Sequence, residues 1–125
     1  MIFNEKENKW LTSISEVEEV NLSGTKDSAD AKSVSMLNYV EANYHQLLDD
    51  CVSYINEIVA NPIKCKLDVQ FIDIGLNEWG EHSEFEIFFT AESDYLLWSV
   101  RFSCSEAEFR KDKPAAPFAL SRRNW

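Results

Sequence analysis

Between residues 67 and 100 this chain has no Lys or Arg, a stretch of 34 residues without a permanently cationic side chain. Glycine, proline and cysteine are also scarce, with three of each in 125 residues. So little Gly and Pro excludes collagen-like and low-complexity organisation and leaves most turns to Asn, Asp, Ser and Glu clusters. Cys51, Cys65 and Cys104 are odd in number and lack a CxxC spacing, so they signal neither a disulfide framework nor a zinc knuckle. Each reads as a buried, reduced thiol on an apolar face. No run approaches the roughly 18 apolar residues of a membrane span, and residues 1–5 carry no basic region leading into an apolar one, so a cytoplasmic location is expected. Catalytic patterns are missing too. There is no GxSxG and no Gly-rich phosphate loop, and His45 and His82 are the only histidines available as bases. His45 and Asp49 stand four apart on a helix but lack a third ligand. The expectation is no catalytic residue, no metal site and no cofactor.

What is present is enough for one core. Apolar residues make up 45% and aromatics 13%, so a single domain over 1–125 can fold without staples. Acids outnumber bases 22 to 12, and the net charge of -10 repels phosphate backbones and anionic lipid. Nucleic acid and membrane surfaces are therefore excluded as expected partners.

Short strands are predicted at Ile2-Phe3, Trp10-Leu11-Thr12-Ser13-Ile14 and Glu19-Val20-Asn21-Leu22, before a break at Ser23-Gly24. Leu37, Val40, Tyr44, Leu47, Cys51, Ile55 and Ile58 then recur at spacings of three and four, the stripe of an amphipathic helix that stops at Asn61-Pro62. This predicts one principal helix over about 34–60, with residues 28–33 frayed or separate. After Pro62 the residues alternate. Leu67, Val69 and Phe71 share one parity and Ile72 and Ile74 the other, which predicts a bulge near Phe71-Ile72. Phe85, Ile87 and Phe89 alternate with Glu84, Glu86 and Phe88, and a turn at Ser93-Asp94 pairs residues whose numbers sum to 187. Phe85 then faces Phe102, Ile87 faces Val100, Phe89 faces Trp98 and Glu86 faces Arg101. Residues 113–117 read as a linker to a C-terminal edge segment. The fold class is α+β, one principal helix packed on an antiparallel β-sheet formed by N-terminal and C-terminal meanders.

Charge segregation gives the candidate site. Residues 67–100 hold eight acids and no base, whereas 101–125 hold three acids and six bases. Either the basic tail folds beside the acidic strands and neutralises them, or those strands meet a basic partner. Within the run, Trp79 is flanked by Glu78 and Glu81 in a polar loop. Such a Trp either folds back onto the core or anchors an interface. The candidate partner-binding residues are Trp79, Glu78, Glu81, Glu84, Glu86 and Asp73.

The order of an N-terminal meander, a helix, a meander rich in Trp and acids, and an Arg-containing end resembles small immunity proteins of bacterial polymorphic toxin and contact-dependent growth inhibition systems. The resemblance rests on Phe85-Glu86-Ile87-Phe88-Phe89, Leu97-Trp98-Ser99-Val100-Arg101-Phe102 and Pro117-Phe118-Ala119-Leu120-Ser121-Arg122-Arg123. It implies a non-enzymatic inhibitor that binds one cognate toxin domain, often a nuclease, encoded by the neighbouring gene. The alternative is an acidic chaperone for a secreted effector, or another protein–protein interaction module. Such chaperones begin with a helix, whereas this chain is read as beginning with strands.

Overall fold

The computed structural model describes residues 1–59, 66–76, 84–91, 96–104 and 115–124. Strands β1 (Ile2–Asn4), β2 (Lys9–Ile14) and β3 (Val17–Leu22) form a first meander. Helices α1 (Ala31–Ala42) and α2 (Tyr44–Ile58) follow. A second meander consists of β4 (Asp68–Ile74), β5 (Glu84–Thr90), β6 (Leu96–Ser103) and β7 (Ala116–Asn124). The seven strands lie in one sheet in chain order.

The chain is α+β, but the expected arrangement is corrected in two respects. The single helix over 34–60 is two helices, and the sheet is mixed rather than antiparallel. Asn43 divides the helix. Its backbone N–H and its Nδ2 both donate to the Tyr39 carbonyl, at 3.0 and 2.9 Å, while its own φ of -118° and ψ of 19° leave the helical region. A short amide side chain competes with the backbone in this way wherever it reaches a carbonyl one turn back. The buried stripe nevertheless runs across the break through Ser33, Met36, Val40, Tyr44, Leu47, Cys51 and Ile55, so both helices cover the same sheet face. Helix α1 also begins earlier than expected, with Ser33 inside it and fully buried.

The sheet is mixed because β3 and β4 pair in parallel, Val20 with Ile72 and Leu22 with Ile74. A parallel pair needs a crossover of a dozen or more residues, and the helical segment supplies it. Each meander is antiparallel within itself, and the helical crossover sets them side by side in the same direction.

Register decides the core. Phe3, Trp10, Leu22, Ile74, Phe85 and Phe102 form one transverse row, and Thr12, Val20, Ile72, Ile87, Val100 and Leu120 form the next. These rows face the helices, and their members from Val20 and Leu22 to Val100 and Phe102 belong to the buried cluster with Met36, Leu47 and Ile55. The β5–β6 pairs are those expected, Phe85 with Phe102, Ile87 with Val100, Phe89 with Trp98 and Glu86 with Arg101. The bulge falls at Gln70, between Val69 and Phe71, one residue before the expected place. Val69 therefore keeps the inner parity while Phe71 turns outward. Cys51 and Cys104 are buried, and burial pushes the Cys51 thiol up, which keeps it protonated and unreactive. Cys65 lies outside the described residues.

Where β3 and β4 end, a buried polar knot ties the sheet to α1. Ser23 Oγ donates to Asp30 Oδ2 at 2.9 Å and lies 2.5 Å from Ser33 Oγ, and the Asp30 N–H donates to the Ser23 carbonyl. Gly75, at φ 70°, passes over this knot.

Candidate functional site

Neither helix packs on the second face of the sheet. Alternation from the inner rows places Leu11, Asn21, Asp73, Glu86, Arg101 and Ala119 in one row across it. The adjacent row carries Phe71, Phe88, Ser99 and Ser121. Phe71 and Phe88 stack with ring centroids 4.3 Å apart, an aromatic pair on a face that also bears charge.

Three carboxylates meet around this row. Asp73 and Glu86 are direct cross-strand partners, so like charges face each other where a sheet normally pairs opposite ones. Asn21, 1% exposed, holds the neighbouring acids apart: its Nδ2 donates to Asp73 Oδ1 at 2.8 Å and to Glu19 Oε2 at 3.2 Å. Its Oδ1 meets no donor among the described residues, and a buried acceptor in that state costs stability. Glu86 is fixed from the other side, where Ser99 Oγ donates to Oε2 at 2.5 Å. Arg101 stands 3.8 Å from Glu86 Oε1, beyond hydrogen-bond reach.

Asp73 pays for this placement in acidity. Burial raises its carboxyl above the ordinary 3.8; the Asn21 hydrogen bond and Lys9 oppose the rise, and Glu86 and Glu19 add to it. A carboxyl that titrates higher in the folded chain binds its proton more tightly there than when unfolded. Its contribution is therefore most favourable below pH 3.8 and declines as pH rises through the raised folded value. Once ionised, Asp73 weakens the fold.

These groups border a recess of about 280 Å³. Asp73, Glu84 and Glu86 line it from β4 and β5, while Arg101, Ser121 and Arg123 line it from β6 and β7. The arginines of β7 stack on rings. Arg123 lies 5.5 Å from the Phe88 centroid, and Arg122, on the opposite face, lies 4.9 Å from that of Trp98. The C-terminal strand thus brings cations to both sheet faces without forming an ion pair to the acids of β4 or β5 among the described residues.

The fold brings together three of the six candidate residues, Asp73, Glu84 and Glu86. Trp79, Glu78 and Glu81 lie outside the described residues. Asn21, Ser99, Ser121 and Arg123 were not among the candidates. A register carried from β6 into β7 would have found the last two, since Ser99 pairs with Ser121 and Leu97 with Arg123. Asn21 carried no such signal, because a parallel neighbour 52 residues away cannot be read from local alternation.

Compared with protein-family models, with curated proteins and with solved structures, the chain matches none. No helix among the described residues is long and apolar enough to cross a membrane.

Proposed function

We propose that the protein is a non-enzymatic binding module that neutralises a basic toxin domain by docking it on the helix-free sheet face. The observation that carries this reading is the Asp73–Glu86 pair, two half-buried carboxylates set directly opposite each other, whose nearest guanidinium among the described residues, that of Arg101, stands 3.8 Å from Glu86, beyond hydrogen-bond reach. Such a pair disfavours the free protein, and a cationic side chain placed between them removes the repulsion and gains charge-assisted hydrogen bonds. The sequence supports the same reading at larger scale, because the net charge of -10 steers a basic partner toward the molecule and speeds association. Phe71, half-buried and stacked on the buried Phe88 ring, adds an apolar edge beside the charged row.

Co-expression tests it. The toxin domain encoded by the neighbouring gene should arrest growth by itself and be tolerated when this protein is present. Glu86→Lys should abolish protection while the variant stays folded by circular dichroism, because it puts a cation where the partner's cation belongs. Full protection by folded Glu86→Lys would refute docking on this face.

A further inference from the structure

The recess is divided by charge. Its carboxylates come from β4 and β5 and its guanidiniums from β6 and β7. At about 4.8 Å between strands, the centres of the two halves lie about 10 Å apart. A uniformly negative socket would suit a lone cation, but this one has an anion-seeking half. Arg101 has a single carboxylate neighbour, at 3.8 Å, and Arg123 has only the Phe88 ring, so most of their N–H donors are uncommitted among the described residues. Ser121 projects between them from the same face. On the other half, Ser99 fixes Glu86 and Asn21 fixes Asp73, so both carboxylates are oriented in advance. Phe88 connects the halves, 4% exposed and capped by Arg123.

We infer that the recess receives two opposite charges of the partner, a cationic side chain on Asp73 and Glu86 and a carboxylate on Arg101 and Arg123. This rests on the reading that the helix-free face is the docking surface, and it narrows the partner from basic in general to a surface with a Lys or Arg and an Asp or Glu about 10 Å apart. The volume favours side chains over a free metabolite, since about 280 Å³ is at the lower edge of small-molecule pockets. Opposed charges also give discrimination. A partner with two cations would set one against Arg123, a like-charge contact that rejects wrong partners.

The protein alone is enough for the test, with methylguanidinium chloride and sodium acetate as probes and sodium chloride at equal ionic strength as control. Amide resonances are followed by two-dimensional NMR. Methylguanidinium should cause saturable shifts around Asp73 and Glu86. Acetate should cause them around Arg101, Ser121 and Arg123, and Arg123→Gln should weaken acetate binding about tenfold, as expected for losing a charge-assisted hydrogen bond. If acetate causes no more shift than chloride, or Arg123→Gln leaves its affinity unchanged, the paired-charge assignment is wrong. That failure is distinct from failure of the docking reading, which the growth assay reports separately. Saturable methylguanidinium shifts with no acetate response would leave a cation receptor and overturn this inference.

Discussion

Phe85→Ala should lower the unfolding free energy by about 3–5 kcal/mol, the range for removing a buried aromatic ring. Phe85 is 1% exposed at the centre of the sheet, stacked on Phe102 with centroids 4.9 Å apart and planes 9° from parallel. Tyr39 of α1 closes over it, its ring centroid 6.4 Å away. Truncation leaves a cavity bounded by two strands and a helix, and the sheet hydrogen bonds prevent the backbone from collapsing into it. Urea melts measure the effect, with Phe118→Ala as control. Phe118 is 44% exposed on the edge strand, so its loss should cost well under 1 kcal/mol, roughly the value for surface substitutions. Equal effects from the two variants would contradict the assignment of the inner face.

Gly75→Ala should cost about 2–4 kcal/mol, combining a left-handed backbone with a steric conflict. At φ 70° a side chain is already strained, and a Cβ there would sit 2.5 Å from Ser33 Oγ and 2.6 Å from Ser23 Oγ. Those two hydroxyls are the knot that joins α1 to the ends of β3 and β4, and displacing them breaks the Ser23–Ser33 contact or the Ser23–Asp30 bond. A second substitution separates the causes: Ser33→Ala in the Gly75→Ala background should recover part of the loss by relieving one contact. If Gly75→Ala melts within experimental error of the parent, the close passage of residue 75 over the knot is wrong.

Local alternation made β5 and β6 legible. Each strand contains three or four alternating apolar residues joined by a short connection, so hydrophobic parity alone selects one register and puts Glu86 beside Arg101. The break at Asn43 was not legible, because the apolar stripe passes through it undisturbed and it shows only in the Asn43 backbone angles and its side-chain bond to the Tyr39 carbonyl. The parallel β3–β4 seam was hidden for another reason. Val20, Leu22, Ile72 and Ile74 look the same in a parallel or an antiparallel sheet, and the direction is set by how the helical crossover returns. The site inherited that gap. Glu84, Glu86 and Asp73 stood out as charges in a base-free run, whereas Asn21 reaches them only across the seam, and Arg123 only through a β7 that reads as an edge segment from its Pro-containing approach.

On the proposed function, the Asp73 carboxylate weakens the free fold and a cationic partner offsets that cost. Asp73→Asn separates the two roles, since the amide oxygen can still accept from Asn21 but cannot ionise. The free variant should be more stable than the parent at neutral pH by on the order of 1 kcal/mol, and the difference should shrink as pH falls and vanish below 3.8. The decisive measurement is the dissociation constant of the Asp73→Asn variant for the proposed basic partner domain, taken beside its urea stability. The account predicts a more stable protein that binds about tenfold more weakly or worse. A variant that gains stability and binds as tightly as the parent would contradict it.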